Sequence, residues 1–279
     1  MKYDFDRMVN RYGTDCYKWD MITKRKLDPN TLPLWVADMD FETVPEVKER
    51  LKEVADRGIY GYSMLGDGYY DALKNWFFTR FNWQIENDWV IATPGVVFAL
   101  AAAVRAYTKE GDSVMIQRPV YHPFTNVVKE NGRKLVNNPL VLENGKYHMN
   151  YEDMEQKITE EQVKLFLLCS PHNPVSRVWT KEELCKTAEI CKKHNVIMIV
   201  DEIHCDFVYP GHHFTSFRTL DAKYQDSLVL YTSPSKTFNV AGFQPANIII
   251  QNQKLRKAYR KANAAAGYSQ GNIMGQVAV

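Results

Sequence analysis

Long apolar runs, metal-ligand cysteines and an excess of charge are all missing from this chain. No segment approaches the ~20 apolar residues of a membrane span, and Met1-Lys2-Tyr3-Asp4-Phe5-Asp6 lacks the apolar core of a secretory signal. The five cysteines (Cys16, Cys169, Cys185, Cys191 and Cys205) make no CxxC pair and no zinc-ligand spacing. Their odd number argues against a disulfide framework, and they read as reduced thiols of a cytoplasmic protein. His212-His213 reads as loop, with no further ligands at usable spacing for a metal. A formal net charge of +2 gives no reason to expect a nucleic-acid partner. The densest basic stretch, Lys254 to Lys261, interleaves Leu255, Ala258 and Tyr259 at helical spacing. It reads as a solvated helix face, with a phosphate-binding patch as the alternative. Repeats and low-complexity segments are absent too.

What is present is a strand–helix alternation. Of the 279 residues, 45% are hydrophobic, enough to fill the core of one large α/β domain or two smaller ones. Residues 1–44 are polar and irregular, with turn signals at Gly13-Thr14-Asp15 and Asp28-Pro29-Asn30, and read as an arm without a core of its own. A helix is expected from Pro45, with Val47, Leu51 and Val54 on one face. From Asp88 onward, short β-branched runs alternate with helical stretches such as Val97 to Tyr107 and Lys181 to His194. Thr180 and Glu183 have the spacing of a capping box for the second of these. The alternation predicts a mainly parallel sheet with helices on both faces. Residues 45–279 then form one large domain.

In such sheets ligands sit beyond the carboxyl ends of the strands. Leu165-Phe166-Leu167-Leu168 runs into Ser170-Pro171-His172-Asn173-Pro174. Val196 to Val200 ends in Asp201-Glu202-Ile203-His204. Leu228-Val229-Leu230-Tyr231 is followed by Ser233-Pro234-Ser235-Lys236. Asparagine, aspartate and lysine at three strand ends suit pyridoxal 5′-phosphate: the lysine for a Schiff base, the carboxylate for the pyridinium nitrogen. Asp201 by itself is equally a helix cap or a turn residue. Asn173 is a common loop signal, or a donor to the cofactor's phenolate oxygen. Tyr121, past the run ending at Gln117, is either core packing or a platform stacked on the ring. His204 reads as a histidine held beside Asp201. Thr93-Pro94-Gly95-Val96-Val97 joins a strand to a helix, which brings the N–H groups of Gly95, Val96 and Val97 to a helix N-terminus where an anion can sit. Taken alone it is an ordinary turn; beside the lysine and the aspartate it favours phosphate. Ser233 and Ser235 could add hydroxyl donors.

The chain resembles the fold-type I pyridoxal-phosphate enzymes of the class I/II aminotransferase branch, and within them the cystathionine β-lyase group of the MalY/PatB type. The likeness rests on Lys18-Trp19-Asp20, Leu34 to Phe41, Gly61-Tyr62, Pro119 to Phe124, Ser170 to Val175, Arg177-Val178-Trp179, Asp201 to Asp206 and Ser233 to Asn239, in the family's order along nearly the whole chain. The resemblance implies catalytic roles for Lys236, which would carry the cofactor, and for Tyr121, stacked on the ring. Asp201 would hold the ring nitrogen and Asn173 the phenolate oxygen, while Gly95, Val96, Ser233 and Ser235 would hold the phosphate. Tyr62 would reach the phosphate of a neighbouring subunit, which implies a homodimer. Trp35 to Asp38 would border the substrate entrance.

Three positions depart from the pattern. Gln244 stands where aminotransferases of the branch often place a phosphate-binding arginine; the β-lyase group usually lacks that arginine too. Ser176 replaces a usual glycine, a strained choice if its φ is positive. The family's small domain, with its carboxylate-binding arginine, would lie largely beyond Val279, and residues 1–44 would form an arm or part of that domain. The expected activity is C–S β-lysis of cystathionine or related cysteine S-conjugates to thiol, pyruvate and ammonia. Transamination and a cofactor-binding interaction module without turnover are the alternatives.

Overall fold

The computed structural model describes residues 3–279. Its first elements are α1 (Asp20–Lys24), α2 (Pro45–Arg57) and α3 (Asp67–Phe81). The alternation then begins with β1 (Val90–Pro94), α4 (Val96–Tyr107), β2 (Ser113–Ile116), α5 (Pro123–Glu130) and β3 (Lys134–Asn137). A hairpin of β4 (Val141–Glu143) and β5 (Lys146–His148) leads to α6 (Tyr151–Glu160) and β6 (Leu165–Cys169). Next come α7 (Lys181–Lys193), β7 (Ile197–Asp201), β8 (Leu228–Thr232) and β9 (Pro245–Ile249). The chain closes with α8 (Gln253–Ala265) and α9 (Ile273–Val277).

Seven strands form one sheet in the order β1-β9-β8-β7-β6-β2-β3. Only β9 runs against the rest, pairing antiparallel with β1 on one side and β8 on the other. The strands read as unbroken apolar runs because both faces of the sheet are covered. Along β6, Leu165, Leu167 and Cys169 face a cluster containing Ala99, Leu100, Phe124 and Tyr259 from α4, α5 and α8. Phe166 and Leu168 face the opposite cluster, with Leu73 and Phe77 of α3, Met154 of α6 and Leu184 of α7. The period of two thus sorts one apolar run into two cores.

The alanines of α4 let that helix lie close to the sheet, and Ala99 O accepts hydrogen bonds from both Tyr231 (2.8 Å) and Tyr259 (3.0 Å). At the start of α7, Thr180 and Glu183 form the expected capping box. The stretch Lys254 to Lys261 is helical as expected, but its face is not wholly solvated. Arg256 is buried, donating to Ile250 O (2.9 Å) and Gln251 O (2.8 Å) and pairing with Asp88. The neighbouring strand end supplies carbonyls, and the exposed Asp88 a carboxylate, that a helical wheel does not display. Ser176 does sit at φ 54°. Relief of a left-handed serine is worth about 1–2 kcal/mol against about 0.5–1 kcal/mol of added unfolded-state entropy. Ser176→Gly is therefore expected to raise stability slightly, by about 0.5 kcal/mol, measurable by denaturant unfolding.

No helix among the described residues is long and apolar enough to cross a membrane. No group of three His, Cys, Asp or Glu side chains among them could hold a metal ion.

Candidate active site

The central strands β6, β7 and β8 are parallel neighbours, and their carboxyl ends come level. Cys169 stands opposite Asp201, and Asp201 opposite Tyr231. The loops carrying Asn173, Asp201 and Lys236 therefore leave the sheet side by side. Asp201 is 4% exposed and accepts one hydrogen bond, from the Ile203 N–H (3.1 Å). Burial pushes its pKa up to about 7, with the Ile203 N–H and then Lys236 pulling the other way. No lysine, arginine or histidine nitrogen among the described residues pairs with this carboxylate within 4 Å, so its lost hydration is not offset by an ion pair.

Lys236 follows a tight turn. Ser233 Oγ donates to Pro245 O and accepts from the Ser235 N–H (3.0 Å), which folds the segment back on itself. The lysine is half-buried, and its Nζ donates to Ala37 O at 2.8 Å. Burial lowers its pKa, while Asp38 and Asp201 act to raise it. An amine with a lowered pKa is a better nucleophile and base near neutral pH.

The loops after β2 and β6 are joined by the Tyr121 N–H, which donates to Asn173 O (2.9 Å). Burial, and then the charge of Asp201, raise the Tyr121 hydroxyl pKa, so the phenol stays protonated. Tyr121 is 44% exposed, more a platform than a core residue. His172 braces the same junction: its Nε2 bonds Pro119 O (2.8 Å) and its ring meets Trp179 edge-on at 5.5 Å. Burial pushes His172 down to about 4, so the imidazole is neutral. His204 is half-buried, and its pKa is lowered by burial and then by the charge on Lys236.

Gly95 is the N-cap of α4, at φ 87° and ψ 160°, and no side chain caps the helix. The first-turn N–H groups, Val96 and Val97 among them, have no helical partner of their own. Val96 is buried and Val97 is 40% exposed. A Cβ at position 95 would lie 3.9 Å from Gln244 Cβ, so space is adequate and the sign of φ alone calls for glycine. Gly95→Ala is expected to cost about 1–2 kcal/mol in the cofactor-free chain, read by denaturant unfolding.

Two expected donors point elsewhere. The hydroxyls of Ser233 and Ser235 both donate to Pro245 O, the second at 3.4 Å, because that carbonyl closes the lysine turn. Tyr62 is 99% exposed. It lines a groove of about 620 Å³ with residues 60–63 and 269–274, which includes none of the strand-end residues.

Several residues around the lysine have distant partners that no local sequence signal names. Thr237 Oγ1 donates to Asp206 Oδ2 (2.7 Å). Asn239 bonds Met39 and Phe41. Glu202 is 2% exposed and accepts from Ser216 Oγ (2.7 Å) and the Phe217 N–H (2.7 Å), tying down the far end of the loop that begins at Ile203. The local signal was a second acidic residue directly after a buried strand, where carboxylates are rare. Burial raises the Glu202 pKa to about 8. An acid with a raised folded pKa contributes stability that is complete below its unfolded pKa and lost as pH rises through the folded one. Wild-type protein without cofactor is therefore expected to lose melting temperature between pH 5 and 8, and Glu202→Gln to lose less. Equal slopes in the two melting series would contradict this.

The donor set fits pyridoxal phosphate. Asp201 lacks the cation that a protonated pyridine nitrogen provides, Lys236 offers the amine, and the glycine turn at an uncapped helix start suits a phosphate. Tyr121, joined to the Asn173 loop, offers a half-exposed aromatic face.

The comparisons agree with this geometry. The family described as "Aminotransferase class I and II" matches residues 29–278. The chain is 41% identical over 256 residues to "Cystathionine beta-lyase PatB" of Bacillus subtilis, covering 92% of this chain and 66% of that protein. It is 32% identical over 261 residues to "Protein MalY" of Escherichia coli, covering 93% and 66%. Among solved structures, cystalysin from Treponema denticola, which contains a pyridoxal 5′-phosphate cofactor, superposes with a TM-score of 0.95. That match has 38% identity and covers 100% of this chain and 71% of the other. The chain thus spans about two thirds of the length of the curated relatives it matches. A lysine and a buried aspartate at adjacent parallel strand ends, a glycine turn opening α4 and a family match over nearly all of the sequence lead to one assignment: the chain belongs to the class I and II aminotransferase family.

Proposed function

We propose that this chain binds pyridoxal 5′-phosphate at Lys236 and acts as a C–S β-lyase on cystathionine or related cysteine S-conjugates, releasing thiol, pyruvate and ammonia. The observation that carries the reading is the half-buried Lys236 amine and the buried Asp201, which forms no ion pair among the described residues, at the ends of adjacent parallel strands in a chain 41% identical to a cystathionine β-lyase.

Each residue has a task in this reading. Asp201 holds the ring nitrogen, Tyr121 faces the ring, and Asn173 reaches the phenolate oxygen. Gly95, Val96 and Val97 present backbone N–H groups to the phosphate, with Ser233 and Ser235 beside them. The bound group supplies an electron sink for the charge that develops at the substrate Cα. Lys236 Nζ takes the Cα proton, a step for which its lowered pKa suits it, and general-base help of this kind is worth about 10²–10⁴-fold. His204, kept neutral by burial and by the lysine, adds no competing positive charge. Gln244 beside Gly95 leaves the phosphate without the arginine common in transaminases of the branch, which favours lysis.

The reading includes a cytoplasmic homodimer, in which the exposed Tyr62 would meet the phosphate of the second subunit. Its test is incubation of the loaded protein with cystathionine and analysis of products. Pyruvate, ammonia and homocysteine in equal amounts are expected. Keto-acid formation without ammonia or thiol would mean transamination instead, and a loaded protein that leaves cystathionine unchanged would mean a binding module.

A further inference from the structure

The three residues after Lys236 are each tied to a different part of the molecule. Thr237 donates to Asp206 in the loop after β7. Phe238 meets Trp76 of α3 edge-on, with ring centroids 5.5 Å apart. Asn239 reaches the arm: the Met39 N–H donates to its Oδ1 (3.1 Å), and its Nδ2 donates to Met39 O (3.0 Å) and Phe41 O (2.8 Å). Asn239 adopts φ 55°, a left-handed conformation that asparagine tolerates well. That conformation turns the chain sharply just beyond the lysine.

These bonds close a ring. From the Lys236 backbone the path runs through Thr237 and Phe238 to Asn239, across to Met39, back along the arm to Ala37, and from the Ala37 carbonyl to Lys236 Nζ. The arm is clamped from its other side as well. Arg11 pairs with Asp38 (2.9 Å) and Asp40 (3.0 Å), Lys18 pairs with Asp40 (2.7 Å), and Trp19 Nε1 donates to Asp40 Oδ1 (2.8 Å). Ala37 is exposed. The Asn239 amide is what ties its carbonyl to the lysine's own loop.

Given the cofactor role proposed above, we infer that Asn239 is a positioning residue for Lys236: by clasping Met39 and Phe41 it sets the Ala37 carbonyl as the resting acceptor of the lysine amine whenever that amine is free. A carbonyl stabilises an ammonium more than a neutral amine, so the ring holds the free amine partly in its charged form and fixes its direction. The charged and titratable groups facing Lys236 are Asp38 on the arm, Asp201 at the end of β7 and His204 on the following loop. Asp38 is held by Arg11 (2.9 Å) and Lys18 as well, so opening the ring leaves that charge in place and removes only the fixed carbonyl acceptor. Loss of that acceptor lowers the pH at which the amine becomes neutral.

The test uses Asn239→Gly and Asn239→Ser, which remove the amide without adding charge. Glycine also suits the backbone at this φ. Thr237→Val is the comparison, since it cuts the tie to Asp206 and leaves the ring intact. Two readouts on the full chain without cofactor are the pH midpoint for acetylation of Lys236 by mass spectrometry and amide hydrogen exchange in residues 37–41. A third, on the loaded protein, is the pH midpoint of the lysine-dependent visible band. The glycine and serine variants are expected to lower the acetylation midpoint by about one pH unit and to speed exchange in 37–41. Thr237→Val is expected to do neither. An unshifted midpoint in a folded Asn239 variant, or an equal shift in Thr237→Val, overturns the inference. Failure of both Asn239 variants to fold also overturns it, because Asn239 would then be a stability residue. If wild-type protein shows no lysine-dependent band, the proposed function fails, while acetylation and exchange still decide the role of Asn239.

Discussion

Lys236→Ala is expected to abolish the visible absorbance band of protein reconstituted with pyridoxal phosphate and to reduce β-lysis by at least about 10²–10⁴-fold, the usual worth of a positioned general base. The loss is the largest expected here because one side chain serves as both anchor and base. The fold should survive the change. Nζ makes one hydrogen bond, to Ala37 O, and the turn that presents it is held by Ser233, Ser235 and Pro245 instead. A melting temperature close to wild type, with no band and no pyruvate from cystathionine, is the expected result. A variant that retained the band would show that the aldehyde had been bound elsewhere, and the assignment of Lys236 would fall.

Asp201→Asn is expected to act with opposite sign on the free and the loaded protein. In the free chain the buried carboxylate has its pKa raised from 3.8 to about 7. Its contribution to stability is therefore complete near pH 4 and lost as pH rises through about 7. Above that pH the wild type buries an ionised group against one N–H donor, whereas an amide of the same shape carries no charge. The cofactor-free variant should thus melt higher than wild type at pH 8. With pyridoxal phosphate present the comparison reverses, because the variant cannot pair with the ring nitrogen. Removing one partner of a buried ion pair typically costs about 3–5 kcal/mol, or about 10²–10⁴-fold in cofactor affinity. Calorimetric titration of both proteins with the cofactor, alongside melting curves at pH 5 and pH 8, measures both signs. A variant that binds as tightly as wild type would remove Asp201 from the ring-nitrogen role.

The amino-acid sequence by itself determined the elements whose signals are local. An unbroken apolar run announces a strand covered on both faces, and its last residue announces where the sheet ends. The positions of Asn173, Asp201 and Lys236 at or just past strand ends were legible for that reason, as were the cap at Thr180 and the glycine that opens α4. Ser176 was legible as a strained turn, and its φ is positive. The helix α3 went unread because its apolar residues lie on more than one side, facing the core at Tyr69, Leu73 and Phe77 and the lysine loop at Trp76. The hairpin of β4 and β5 went unread although Asn144-Gly145 marks it, both residues having positive φ.

Only the tertiary structure decided what holds the lysine. Ala37 lies 199 residues before Lys236, and Met39 lies 200 before Asn239. Nothing local in either segment names the other, since a backbone carbonyl carries no side-chain signal at all. The same holds for the serine hydroxyls, whose small, polar character suits a phosphate or a nearby carbonyl equally. Here the fold brings Pro245 within reach. Arg256 was misread in the same way: helical spacing tells which residues share a face, but not what stands opposite. Periodicity and strand ends are properties of one segment. Hydrogen-bond partners and burial belong to pairs of segments, and exist only once the chain has closed on itself.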